Sequence, residues 1–459
     1  MIKKMLSGAS LALLIMLSSC STTTNEETSA SRSGLIVVEP GHFHAALVQK
    51  TMYEDLDSTV HVYATDSPDL ESYLSRIEKF NTREDDPTRW NEKVYRGADF
   101  MEKMLAEKAG SVVVLAGNNQ KKTEYIKKSV DAGLNVLADK PMAIDDNGFN
   151  LLREAFASAE KNNVLLYDIM TERYEITNTL QRELALIDDI FGELQKGTPE
   201  DPAVVKESVH HFFKYVSGEP LVRPAWFFDV EQQGEGIVDV TTHLVDLIQW
   251  SSFPDQSLDY QKDVEITRAV RKPTTMTKEQ FNLVTKLDSY PEYLQKDLKD
   301  DVLNVYANGD IYYKLKGVNA KVSVIWNYQA PEGTGDTHYS IMKGSKANLV
   351  VRQGKEQNFK PVLFIEAVNA TPEYEAAVTE KFKSLQTKFA GIELKKIAKG
   401  WEVVIPQSYE TGHEAHFGEV TSKYMQFLKA GKLPEWEVPN MITKYFITTQ
   451  ALKMGKENK

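Results

Sequence analysis

From Gly34 onward, short β-branched runs alternate with stretches whose apolar residues recur at helical spacing. The runs are Leu35–Val38, Val60–Ala64, Val94–Tyr95, Val112–Ala116, Asn135–Ala138 and Val164–Tyr167. Between them, Phe100, Met104 and Leu105, and then Tyr125, Ile126 and Val130, mark buried helix faces. Strand, helix, strand repeated in this way forces right-handed crossovers and a parallel sheet covered on both faces. The predicted fold is therefore α/β, with an N-terminal Rossmann doubly wound parallel sheet over residues 34–170. Asn81 to Trp90, rich in Asp, Arg and Pro, reads as a long loop before the third strand. After Thr171 the rhythm lapses. A helix is predicted over Asn178–Ile190, strands at Ile311–Leu315 and Lys321–Trp326, a charged helical segment over Thr275–Asp300, and closing helices at Ser422–Leu428 and Ile442–Met454. Strands joined mainly to strands indicate a second, α+β domain over 171–459 with a mainly antiparallel or mixed open sheet. That open sheet is the surface through which a homo-oligomer would form.

Charge narrows the class of partner. With 66 acidic and 54 basic residues in 459, the formal net charge is −12, which repels nucleic acid in the absence of a basic patch. The first residues have a different logic. Lys3 and Lys4 precede an apolar run, Leu6–Leu17, that is too short to span a bilayer, and Leu17-Ser18-Ser19-Cys20 closes it. Residues 1–19 thus read as a secretory signal, and the polar stretch over 20–33 as a flexible tether. The closing tetrapeptide resembles a bacterial lipoprotein signal, which implies that Cys20, the single cysteine, is lipidated. The expected location is an exported lipoprotein on the outer membrane or periplasmic face of a bacterial envelope, touching the membrane only through its lipid. A plain secreted protein with an incidental Cys20 is the alternative.

A dinucleotide site needs glycines after the first strand so that the backbone turns tightly and the pyrophosphate can approach. Here the turn reads Glu39-Pro40-Gly41-His42-Phe43-His44, keeping only the middle glycine of G-x-G-x-x-G. Gly41, His42, Phe43 and His44 are candidate cofactor contacts; a turn that binds nothing is the other reading, and the Glu39 carboxylate favours it. Asp66, after the second strand, stands where an acid would accept hydrogen bonds from an adenosine ribose and disfavour a 2′-phosphate. It could equally cap a helix ahead of Pro68. Asn118 and Asn119, after the fourth strand, could bind ribose or phosphate.

Two later motifs add a resemblance. Asn135-Val-Leu-Ala-Asp139-Lys140-Pro-Met142 resembles the Glu-Lys-Pro segment of the glucose-fructose oxidoreductase, inositol dehydrogenase and rhizopine-catabolism family, with Asp139 in place of Glu. Gly234-Glu-Gly-Ile-Val-Asp239-Val-Thr-Thr-His243-Leu-Val-Asp246 resembles that family's Gly-Gly-Gly, Asp-x-x-x-His, Asp element, preceded by Arg223 and Trp226. Arg173 follows the last strand of the first domain at the family's distance. The length beyond Val351 resembles a branch of oxidoreductases from gut and environmental bacteria with its own C-terminal domain. The resemblance implies a nicotinamide cofactor; Asp66 favours NAD, with NADP less favoured, and the scarcity of free cofactor outside the cytoplasm implies that NAD is held tightly between turnovers. Asp139 and Lys140 would then lie at the nicotinamide, His243 would act as proton acceptor, and Arg173, Trp226 and Asp246 would contact substrate. Read from spacing, Asp239 and His243 are four apart, so that they share one helix face with Asp246, and the carboxylate would orient the imidazole. Such a pair can take a hydroxyl proton near neutral pH while hydride leaves the same carbon.

His413-Glu414-Ala415-His416, with His210, His211 and His338, carries ligand chemistry suited to zinc, but its spacing is unspecific and no metal site is expected. The aromatic positions Tyr306, Tyr312, Tyr313, Trp326, Tyr328 and Tyr339 are expected mostly to pack the core. Three functional classes follow: an NAD-dependent oxidoreductase acting on a sugar or glycoside, a glycosidase that uses bound NAD in a transient oxidation, and a binding protein that has lost the chemistry.

Overall fold

The computed structural model describes residues 32–216 and 219–457. Cys20, the signal segment and most of the tether lie outside the described residues. The first sheet has six parallel strands, β1 (Ser33–Val38), β2 (Leu56–Ala64), β3 (Asn91–Arg96), β4 (Val112–Leu115), β5 (Asn135–Asp139) and β6 (Leu166–Ile169), in the order β3-β2-β1-β4-β5-β6. Helices α1 (His44–Leu47), α2 (Pro68–Thr82), α3 (Phe100–Glu107), α4 (Lys122–Asp131) and α5 (Asp146–Lys161) make the crossovers. All four residues of β4 are buried, as a strand covered on both faces requires. Helix starts follow local chemistry: Ser67 Oγ accepts from Leu70 N with Pro68 next in line, and Asp145 accepts from Gly148 N. Strand order reverses between β1 and β4, which opens a crevice at their carboxyl ends. The last strand starts two residues later than the β-branched pattern suggested. Val164 N is used by Ala159 O to close α5, so the chain extends only from Leu166.

The second domain contains α6 (Ile176–Ala185), β7 (Val204–Phe213), β8 (Tyr215–Val216), β9 (Glu219–Pro220), α7 (Val230–Gln233), α8 (Thr241–Ser252), β10 (Val264–Met276), α9 (Lys278–Thr285), β11 (Leu298–Lys299), β12 (Val302–Leu315), β13 (Val318–Gln329), β14 (Thr337–Lys343), β15 (Ala347–Arg352), β16 (Val362–Ala367), α10 (Pro372–Lys388), β17 (Glu393–Ile397) and β18 (Gly400–Val404). Its ten-stranded sheet runs β10-β12-β13-β7-β14-β15-β16-β18-β17, with β11 beside β12. Only β13 and β7 pair in parallel, so the sheet is mixed. The charged helix expected over Thr275–Asp300 is shorter. β10 continues to Met276, Lys286 ends α9 in a left-handed conformation, and Pro291 starts a separate 3-10 turn.

The closing helices α11 (His413–Ala430) and α12 (Glu437–Glu457) turn back on the first sheet. Phe417, Val420, Tyr424, Met441 and Tyr445 join its apolar core, so that core is not confined to residues before 171. This return brings the start of α11 over the crevice. Among the described residues no helix is long and apolar enough to cross a membrane.

Candidate active site

At the turn after β1, Glu39 stands where the first glycine of a dinucleotide motif would be, and its φ of 44° is the left-handed value a glycine supplies there. Its carboxylate points along the sheet to β2, accepting from Thr65 N at 2.7 Å and from Thr65 Oγ1 at 3.3 Å. A side chain at Gly117 would come within 2.2 Å of Glu39 O, so only glycine lets β1 and β4 end this close together. A Cβ on Gly41 would lie 3.1 Å from Asp69 Oδ2, 3.4 Å from the Trp226 ring and 3.5 Å from Asn118 N. Trp226 donates to Asp69 at 2.8 Å and so belongs to this turn; it is not among the residues lining the cavity where substrate contact was expected. Asn118 Nδ2 and Asn119 Nδ2 hold Gln232 Oε1 and Gln233 O, each at 2.7 Å, while Asn119 Oδ1 is buried without a partner. Asp66 is exposed at the end of β2 and pairs with Arg96 Nη1 at 2.5 Å. The nearest arginine in the chain, Arg76, is not the one that meets it.

A cavity of about 570 Å³ lies between the two sheets, walled by the β1 turn, β5, α6, α8, β7, β14 and the start of α11. Seven of the nine histidines line it: His42, His44, His210, His243, His338, His413 and His416. Lys140, the residue after β5, donates to Asp239 Oδ1 at 2.6 Å, and Gln233 Nε2 donates to Asp239 Oδ2 at 3.1 Å. Burial raises the Asp239 carboxyl, but the Lys140 charge and the hydrogen bonds from Lys140 and Gln233 together outweigh it and leave Asp239 below its ordinary range. Lys140 is correspondingly held above its ordinary value: burial opposes its charge, and Asp239 and Asp139 more than restore it. The two form a locked ion pair. Asp239 therefore does not orient His243, as its spacing suggested; it lies in the turn before α8, and its oxygens are taken by Lys140 and Gln233.

His243, on the first turn of α8, is 8% exposed and its Nδ1 has no hydrogen-bond partner. Burial first, then the Lys140 charge, lowers its pKa to about 3, so the ring is neutral and free to accept. The carboxylate whose charge acts most strongly on it is Glu172, in the 3-10 turn after β6 (Thr171–Tyr174), which faces His413 Nδ1 at 3.5 Å. Burial raises the Glu172 carboxyl, and the surrounding histidines pull it below the ordinary range. Further along the wall, Asp336 gathers His210 Nδ1 at 3.0 Å, His211 Nδ1 at 3.3 Å and Lys214 Nζ at 2.5 Å. Lys206 is buried against Gln181 Oε1 at 2.7 Å, and burial lowers its pKa to about 7.

Two residues expected to touch substrate do not reach this cavity. Asp246 receives Arg173 Nε and Nη2, both at 2.7 Å, and Lys444 Nζ at 2.8 Å. Lys444 also meets Asp168 at 2.7 Å, and Arg173 meets Glu437 at 2.8 Å. All five are buried, and neither Arg173 nor Asp246 lines the cavity. On α8, Asp246 is three residues on from His243, but its carboxylate is drawn to Arg173 and to Lys444 of α12. The group His42, His44 and Asp139, read from sequence as cofactor contacts, is also close-knit. One potential ligand atom from each lies within 4.8 Å of the others. Sequence reasoning missed Glu172 and Lys206 altogether. The one available signal was that Glu172 directly precedes Arg173, a residue already singled out.

Comparison with known proteins places this geometry. The family model described as "Putative oxidoreductase C terminal domain" matches residues 180–456, more than half the chain. The chain belongs to this oxidoreductase family. A crystal structure described as a putative oxidoreductase from Parabacteroides merdae is 57% identical, with a TM-score of 0.92 over 94% of this chain and 98% of that one. Two more distant structures share the fold. A levoglucosan dehydrogenase solved with NADH and levoglucosan is 12% identical, with a TM-score of 0.59 over 94% and 98% of the two chains. A 3-ketoreductase from Actinomadura kijaniata solved with NADP and TDP-benzene is 13% identical, with a TM-score of 0.55 over 93% and 98%. No curated protein matches the sequence.

Proposed function

We propose that this oxidoreductase moves a hydride between NAD and a hydroxyl-bearing carbon of a sugar or glycoside. The observation that carries this reading is the meeting, in one cavity beside the β1 turn, of a locked Lys140–Asp239 pair and a neutral His243 with an unused Nδ1. The residues fit a dinucleotide: the bare Cα of Gly41 leaves a cradle between Asn118 and Trp226, the buried Asn119 Oδ1 in the loop after β4 is an acceptor without a partner, and Glu39 is turned away. Gly41, Asn119 and Asp66 would hold it, and when bound it supplies the hydride acceptor. Asp239 keeps Lys140 charged, and Lys140 polarises the reacting oxygen. His243 takes the hydroxyl proton, and Glu172, by its charge, stabilises the imidazolium so formed. Structures sharing the fold were solved with a sugar and with nicotinamide cofactors, which supports both halves of the proposal.

A positioned base contributes ~100- to 10,000-fold. His243→Ala and Lys140→Ala are each expected to lower turnover by about that range; His243→Ala should leave NAD affinity and Tm nearly unchanged, whereas Lys140→Ala should also lower Tm because it strands the buried Asp239 carboxylate. The assay offers free sugars and aryl glycosides with NAD and records both reduced cofactor and released aglycone. Unaltered activity in both variants would remove the proposed site. Aglycone release without net reduction would favour the glycosidase reading, for which the cavity holds a second acid–base pair, Glu172 and His413. On location, we propose that Cys20 carries lipid that tethers the protein to the envelope. Two acyl chains give durable anchoring, so Cys20→Ala should move from the membrane to the soluble fraction; retention in the membrane at high salt would refute it.

A further inference from the structure

We propose that His42, His44 and Asp139 form a binding site for one divalent transition-metal ion at the wall of the cavity that the two histidines line. His42 and His44 are two residues apart on the β1 turn, and Asp139 is the last residue of β5, two strands away in the sheet. His44 Nδ1 lies 2.9 Å and His42 Nδ1 3.8 Å from the same oxygen, Asp139 Oδ2. Ligand atoms about 2 Å from a common ion are separated by roughly 3 Å, so these spacings bracket what one ion needs. Two imidazoles and one carboxylate are also the donor set that leaves further coordination positions open on a first-row ion.

The surroundings suit a bound ion better than three isolated side chains. His44 and Asp139 are buried, whereas His42 is the member open to the cavity, with 16% of its side chain exposed. The His42 and His44 rings pack edge to face with centroids 4.0 Å apart, which fixes their orientation beside Asp139. In the metal-free protein Asp139 Oδ2 takes a hydrogen bond from His44, and His42 Nδ1 has only a long 3.4 Å contact with His44 N. Moving the His44 proton to Nε2 frees Nδ1 without expelling a charge. Two cations lie nearby. Lys140 is balanced by Asp239, while Lys122 Nζ is held by the Asp139 carbonyl at 3.1 Å. The open positions of the ion would face the cavity that His243 and Lys140 line, where a substrate oxygen could complete its shell.

The inference does not depend on the dinucleotide reading, because metal binding is read without cofactor or substrate. The mature, tag-free chain is stripped with a chelator, then titrated with Zn²⁺ by calorimetry and with Co²⁺ by visible absorption. One equivalent bound at micromolar or lower Kd, with a cobalt ligand-field band, is expected. His42→Ala alters only the partly exposed member and should leave the near-ultraviolet dichroism unchanged. It should nonetheless weaken binding by more than ~100-fold, beyond the ~10- to 100-fold that losing an outer partner costs. His44→Ala and Asp139→Asn, where folded, should do the same, and His61→Ala, on β2 outside the cavity lining, should not. Substoichiometric uptake, or full affinity in His42→Ala, would overturn the proposal. So would a loss in His413→Ala without one in His42→Ala, since that places the ion on the Glu172 wall.

Discussion

Replacing Asp246 separates two roles for the same residue, substrate contact and structural ion pairing. In the fold its carboxylate is 2% exposed and accepts three charge-assisted hydrogen bonds, two from Arg173 and one from Lys444, each within 2.8 Å. Asp246→Asn keeps the volume but turns an amide donor toward two cationic donors. Removing one member of a buried, hydrogen-bonded ion pair costs about 3–5 kcal/mol. For a chain of this size that is a fall in Tm of about 3–5 °C. The pH dependence has a defined sign. Burial raises the Asp246 carboxyl, but Arg173 and Lys444 outweigh it and depress its folded pKa well below the unfolded value. Its contribution is therefore fully present above the ordinary carboxylate range near pH ~4 and is lost only as pH falls below it. Calorimetric melts of Asp246→Asn, Lys444→Met and the double variant would show coupling, with the double costing less than the two singles together. A single variant with native Tm but no turnover would refute the structural assignment and return Asp246 to the substrate site.

Lys206 should make the native protein more stable as pH rises. Its folded pKa of about 7 lies below the ordinary lysine value, so between pH 7 and ~10.4 the unfolded chain binds the extra proton and stability climbs by on the order of 1 kcal/mol per pH unit. Lys206→Met should flatten that slope, and an unchanged slope in Tm against pH would show that the amine is not the source. For cofactor choice, native protein is expected to prefer NAD because Asp66 would repel a 2′-phosphate. Asp66→Ala removes a charge-assisted hydrogen bond to the ribose, worth ~1.5 kcal/mol, and the repulsion with it, so relative affinity should shift toward NADP by roughly tenfold or more, with Arg96 still paired to Glu71 at 2.6 Å. Calorimetry with both cofactors reads the ratio, and a variant with the native ratio would place the adenosine elsewhere.

What could be read from sequence and what could not divide along one physical line. Parallel strands covered on both faces leave a continuous β-branched signal, so β1, β2, β4 and β5 were visible as runs, and the Lys-Pro and Asp-x-x-x-His motifs located Lys140, Asp239 and His243 near one another. Spacing along a helix then misdirected the pairing. Four residues mean one helix face only where the helix already exists, and α8 begins at Thr241, two residues after Asp239. That carboxylate was consequently free to meet Lys140 from a different domain, 99 residues away in sequence. The same limit applies to Asp66 and Arg96, Arg173 and Glu437, and His413 and Glu172: each pair is closed by a sheet neighbour or by a returning helix, and no local period encodes either. Charge distribution in this site is thus a property of how α8, α11 and α12 pack on the first sheet. The chemistry assigned to His243 depends on that packing, because the carboxylate that can stabilise its protonated form is Glu172 from the β6 end and not the acid one turn away.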